Sequence, residues 1–154
     1  SDFWGGLTRQ KALEYEEIFR QFPLALSVGG IITTHSGLPN VETLKEINKI
    51  RDISEGYDDR WHDIVWKDVA DADYNHVIER SCIYDFDFNK RMGILGKNVL
   101  IRSHDSHAPE QMFDGRCLTL FTSRAHHRRQ TIAIADFTKN KRITSVDDLI
   151  IEEI

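Results

Sequence analysis

The stretch Leu24-Ala25-Leu26-Ser27-Val28-Gly29-Gly30-Ile31-Ile32-Thr33-Thr34-His35 decides how this chain is read. Two runs rich in apolar and β-branched residues flank a Gly-Gly pair, the composition of two strands joined by a tight hairpin turn. The second run delivers the pentad His35-Ser36-Gly37-Leu38-Pro39. A histidine at a strand end sits on fixed backbone and is free to present its imidazole to a metal ion. Roughly seventy residues later another apolar run, residues 98–103, leads into Arg102-Ser103-His104, so a second histidine follows a second strand.

Outward from these strands, Thr8 caps a helical pattern with apolar groups at 12, 15, 18, 19 and 22 that stops at Pro23. Residues 41–53, with Val41, Leu44, Ile47 and Ile50 on one stripe, predict a second helix. Residues 54–60 read as loop, and an Asp-rich connection follows Trp61 to Trp66. Residues 71–90 lack periodicity, with a short helix expected near 89–95. Further strands are expected over 116–123 and 130–137, then a turn at Thr138-Lys139-Asn140-Lys141 and a last strand over 142–146. Helices followed by mostly sheet give an α/β (α+β) architecture, read as one domain over residues 1–154.

With 40% hydrophobic and 29% charged residues, the 154-residue chain has the composition of a globular domain with a core. The sequence holds no apolar run near the roughly 20 residues of a membrane helix and no leader pattern, which points to a cytoplasmic protein. Cys82 and Cys117, in no recognisable spacing, read as reduced packing thiols. Charge is uneven: net −8 over residues 1–89, +7 over 90–142 and −4 over 143–154. The central block suits phosphate groups, while the acidic flanks argue against a nucleic-acid surface.

Taken in order, these motifs resemble the C-terminal half of a metal-dependent serine/threonine protein phosphatase of the calcineurin-like phosphoesterase superfamily. The family's His-Gly-Gly-Leu/Ile-Ser-Pro is similar to His35-Ser36-Gly37-Leu38-Pro39, and its Leu-Leu-Trp-Ser-Asp-Pro to Ile64-Val65-Trp66-Lys67-Asp68-Val69. Its Arg-Ala-His resembles Arg102-Ser103-His104, and its Leu-Phe-Ser-Ala-Pro-Asn-Tyr resembles Leu120-Phe121-Thr122-Ser123-Arg124-Ala125-His126. The resemblance spans roughly residues 8–146. It implies half of a β-sandwich flanked by helices. It also implies a centre of two divalent ions (manganese, iron or zinc) at which His35 and His104 ligate the same metal and a bridging water attacks a phosphoprotein substrate. Asp68 matches the acidic residue beside that site, and Trp66 supplies an apolar wall. Arg80, in Glu79-Arg80-Ser81, resembles the family's phosphate-gripping arginine, since a guanidinium holds two phosphoryl oxygens at once. Arg102 shares a strand with His104 and adds phosphate-friendly charge, and His126 stands where the family has tyrosine, as a substrate contact or proton donor.

Departures at Ser36, Val69, Ser81 and His126 leave the substrate open. The family's first half carries Gly-Asp-x-His-Gly, Gly-Asp-x-x-Asp-Arg-Gly and Gly-Asn-His-Glu, none of which occurs in this chain. The missing N-terminal half of the same catalytic domain is therefore an expected partner, and this polypeptide alone is expected to bind metal weakly and turn over little phosphoester. Two other readings stand beside it. One is a phosphatase-like binding module that holds a phosphorylated or acidic partner on the 90–142 block without cleaving it. The other is a zinc protein built on His104-Asp105-Ser106-His107 and His126-His127.

Overall fold

Gly29 and Gly30 turn the chain with φ of 51° and 96°, the pair of positive angles a two-residue hairpin requires. Strand β1 (Ala25–Val28) thereby returns antiparallel as β2 (Ile31–Thr34), with Val28 opposite Ile31. A side chain at either glycine has no room: a Cβ on Gly30 falls 2.3 Å from the Ile143 carbonyl oxygen. The computed structural model describes residues 8–50, 58–71, 81–123 and 128–154.

From β2 the sheet grows by crossover. Strand β5 (Val99–Arg102) lies parallel to β2, with Ile31 opposite Val99 and Thr33 opposite Ile101. Strand β7 (Cys117–Thr119) lies parallel to β5, and β6 (Gln111–Met112) closes the far edge antiparallel to it, giving the order β1-β2-β5-β7-β6. Side chains alternate across this sheet, as the period of two demands. Ile32, Leu100 and Cys117 point to one side, where they meet Phe88, Met92 and Leu95 of helix α3 (Asp85–Leu95) and Ile64 of helix α2 (Asp59–Val65). Ile31, Val99 and Leu118 point to the other, where Ile143, Val146, Ala133 of strand β8 (Thr131–Ile134) and Ile151 of strand β9 (Ile150–Glu153) cover them. Strands β8 and β9 pair antiparallel as a second small sheet. The result is a helix, sheet, sheet arrangement of the α/β class. A two-residue parallel ladder joins β3 (Asp68–Val69) to β4 (Cys82–Ile83).

Helix α1 (Arg9–Arg20) forms as its sequence predicts, and the Thr8 side chain accepts a hydrogen bond from the Lys11 amide at 3.3 Å. Its apolar stripe lies bare: Leu13, Tyr15, Ile18, Phe19 and Phe22 are all exposed, and no residue of the helix is buried. Tyr15 stacks on Phe19, and Phe19 meets Phe22 edge-on.

Three expectations change. The helix expected over 41–53 is a short 3₁₀ turn, Leu44–Lys49, with residues 51–53 outside the described part. Val41, Leu44, Ile47 and Ile50 recur every three residues. Side chains at that interval eclipse in a 3₁₀ helix, whereas an α-helix prefers a mixture of threes and fours. The strand expected over 142–146 is instead irregular. Ile143 spends its amide on the Gly29 carbonyl at 2.7 Å, and Ser145 with Asp148 forms a capping box on a turn at Val146–Asp148. The last strand is β9, further on. Helix α2 begins within the stretch read as loop, residues 54–60, and continues through Trp61 to Val65, where no element was expected; the Asp58 side chain starts it by accepting from the Arg60 amide at 2.9 Å.

Candidate metal centre

Because β2 and β5 run parallel and in register, His35 and Ser103 emerge level at the same sheet end, the end where open α/β sheets hold ligands. The Ser103 amide donates to the His35 carbonyl at 3.1 Å and locks the two strand ends together. His104 then takes a left-handed backbone, φ 76°, which swings its ring back over His35. His35 Nε2 and His104 Nδ1 stand 2.9 Å apart, with ring centroids 4.8 Å apart. The Trp66 ring meets His104 edge-on at 5.6 Å. Partial desolvation holds the His35 imidazole below its ordinary pKa, which disfavours its charged form. Two nitrogens bound to one ion at about 2.1 Å and at a right angle lie about 3.0 Å apart, so this pair fits as neighbouring ligands of a single metal. Among the described residues no group of three or more histidine, cysteine, aspartate or glutamate side chains could hold a metal.

The 35–39 loop is stitched to the helical layer. The Ser36 amide donates to the Ile64 carbonyl at 2.8 Å, and its buried hydroxyl donates to the Lys67 carbonyl at 2.9 Å. Gly37 passes so close to α2 that a Cβ there falls 2.5 Å from the Lys67 oxygen and 2.7 Å from that of Asp63. Arg91 of α3 donates to the Leu38 carbonyl and pairs with Asp63 at 2.7 Å, while Lys67 pairs with the same carboxylate at 3.0 Å. Each half of the His-Ser-Gly-Leu-Pro motif thus has a structural task, one to aim the imidazole and the other to fasten the loop.

Arg102 lies beneath the histidines with its side chain fully buried. Nη1 stands 3.4 Å from Asp68 and Nη2 3.5 Å from Asp105, while Nε and Nη2 make no hydrogen bond among the described residues. Enclosed in this way, the guanidinium has its charge matched by two carboxylates and is not open to a phosphate. Asp68, expected beside the site, is one of the two. Cys82, opposite Asp68 in the β3–β4 ladder, has its thiol pushed up to about 11, mainly by burial and further by Asp68. Burial pushes Cys117 up to about 12 against the opposing pull of Arg102. Arg80 and His126 lie outside the described residues.

Two residues around the site were not singled out from sequence. Asp105 completes the pair of carboxylates on Arg102. Arg128, one of the cations of the basic 90–142 block, reaches carbonyl oxygens in the loop that follows His104. Much of the basic 90–142 block is likewise engaged: Arg91 with Asp63, Arg102 with its two aspartates, Arg129 with Glu153 at 2.8 Å, and Arg142 with the Gly96 carbonyl. His107 of the zinc reading points outward, with its side chain 69% exposed.

A mixed sheet whose parallel strands β2 and β5 lead into two histidines at one end, with helices on one face and a second sheet on the other, is a phosphatase-like fold. Among solved structures, the chain is similar to a protein serine/threonine phosphatase from Saccharomyces cerevisiae with similarity to human phosphatase PP5, at a TM-score of 0.71 and 18% identity. The match covers 98% of this chain and 52% of the yeast chain, so this chain spans about half the length of its structural relative. No family model and no curated protein matches the sequence. No helix among the described residues is long and apolar enough to cross a membrane.

Proposed function

We propose that this chain is the C-terminal part of a metal-dependent serine/threonine phosphoprotein phosphatase and supplies His35 and His104 as two ligands of one metal ion. The observation that carries this reading is the 2.9 Å approach of His35 Nε2 to His104 Nδ1 from strand ends 69 residues apart. In the absence of metal, two such nitrogens share one proton as donor and acceptor, and a divalent ion substitutes for that proton with little movement. When bound, metal ions supply an activated water and neutralise charge developing on the phosphoryl oxygens. The chain's own residues orient the ligands: Trp66 flanks the His104 ring, Ser36 and Gly37 fasten the His35 loop, and Asp68 with Arg102 forms a charge-matched floor. The remaining ligands belong to the N-terminal half, which would also cover the bare apolar stripe of α1.

Manganese titration followed by imidazole NMR tests the reading. At millimolar Mn²⁺ the His35 and His104 resonances are expected to broaden together and ahead of those of His62 and His107. In His35→Ala the selective broadening of His104 is expected to disappear. Uniform broadening of all the histidines would remove the metal from the proposal. A longer polypeptide that carries the aspartate-rich motifs is expected to hydrolyse a phosphoserine peptide and to lose that activity in His104→Ala.

The second reading is a silent module that holds a phosphorylated partner, and the departures from the family pattern at Ser36, Ser81 and His126 favour it. Phosphopeptide binding that persists without metal and without turnover in the longer polypeptide distinguishes it.

A further inference from the structure

His104 belongs to no strand, and its φ of 76° lies in a left-handed region that non-glycine residues adopt uncommonly and that its surroundings must hold. Local bonds contribute part of that constraint. The Asp105 amide donates to the Ser103 carbonyl at 3.0 Å, and the Asp105 carboxylate accepts from the His107 amide at 2.9 Å. The rest comes from a distant arginine. Arg128 Nη1 lies 2.7 Å from the Ala108 carbonyl oxygen, 2.9 Å from that of Ser106 and 3.4 Å from that of Asp105. Its two protons serve the two shorter contacts, and the third approach is shared.

Arg128 is itself anchored. Its guanidinium carbon sits 5.2 Å from the centroid of the Phe121 ring, a cation over an aromatic face. Phe121 is buried, and its carbonyl accepts from the Thr131 amide at 2.8 Å, which ties this platform to the first residue of β8. A cation that gathers successive carbonyl oxygens fixes a turn much as a capping group fixes a helix end, because each oxygen would otherwise look for water. The turn it fixes starts one residue after His104.

We propose that Arg128 is a positioning residue for the candidate metal centre: by gathering the carbonyls of residues 105, 106 and 108 it sets the left-handed turn that aims His104 Nδ1 at His35 Nε2. Its relevance to metal rests on the reading given under Proposed function, whereas the alignment of the two rings is a property of the chain without metal. Arg129, the next residue, serves as a control because it and its partner Glu153 are exposed at the surface.

The test uses the full chain labelled with ¹⁵N in its imidazoles. Wild type is expected to show scalar coupling across the His35 Nε2 to His104 Nδ1 hydrogen bond. Arg128→Gln is expected to lose that coupling and to bind zinc about 10 to 100-fold more weakly, the usual effect of removing a group that orients a ligand. Arg129→Gln is expected to retain both. Arg128→Met keeps the apolar stem against Phe121 without donors, and is the variant to use should the glutamine chain fail to fold. Coupling and zinc affinity unchanged in a folded Arg128 variant overturn the proposal. Coupling lost in the variant while wild type takes up no zinc upholds the positioning role and sinks the metal reading instead. No coupling in wild type overturns the proposed alignment itself.

Discussion

The loop after β2 and helix α1 lie close in sequence and differ completely in what holds them. The loop is bonded to α2 through Ser36, to α3 through Arg91 and to β5 through Ser103, and its glycine admits no added atom. The helix is held by its Thr8 cap and its own ladder, plus an exposed Arg20–Glu16 pair at 2.8 Å of the kind that contributes about 0.3–0.5 kcal/mol. Its five large apolar side chains face water. Tertiary order in the described part of this chain is concentrated around the C-terminal ends of β2 and β5, where the histidines sit. The α1 side has local order only.

Substitutions can break this contrast. The largest effect is expected at Arg102, because Arg102→Met removes the fully buried cation that faces the largely covered carboxylates of Asp68 and Asp105. Removing one partner of such a cluster costs about 3–5 kcal/mol, which thermal or urea denaturation reads directly; a loss below about 1 kcal/mol would show that the floor of the site is solvated. Next comes Gly37→Ala, which drives a methyl into the carbonyl oxygens of Asp63 in α2 and of Lys67 just beyond it, and is expected to cost about 1–3 kcal/mol, with the His35 resonances displaced. At the other pole, Phe19→Ser on α1 is expected to change the stability of the isolated chain by no more than about 0.5 kcal/mol, the range of ordinary surface substitutions. A core-sized loss there would mean that α1 is packed after all.

The smallest effect concerns acid. Asp148 accepts from the Thr144 amide and hydroxyl and from the Ser145 amide, which holds its carboxyl below the ordinary aspartate value of 3.8. The folded chain therefore binds fewer protons than the unfolded one near that pH, so the contribution is complete above about 3.8 and drains away as pH falls through the lower folded value. Asp148→Asn is expected to lower neutral stability slightly and to flatten the acid limb, so that the two chains converge in stability below about pH 4, measured by denaturation as a function of pH.

Strands β1, β2, β5, β7 and β8 were legible because each is an apolar, β-branched run between turn residues. Helix α2 was not: its seven residues mix Trp61, His62 and two aspartates and show too little periodicity. Strand β9 is half glutamate, Ile150-Ile151-Glu152-Glu153, and earns its place only by pairing with β8. The site divides along the same line. His35 and His104 could be read because each follows a strand, but the inward aim of Arg102 depends on carboxylates from two other segments. Arg128 could not be read at all, since its partners are backbone oxygens that carry no side-chain signature.

The two cysteines beside this site add a chemical consequence. With Cys82 near 11, about one thiol in ten thousand is ionised at pH 7, and Cys117 near 12 is lower still. The sulfur atoms are therefore poor nucleophiles toward peroxide or alkylating reagents.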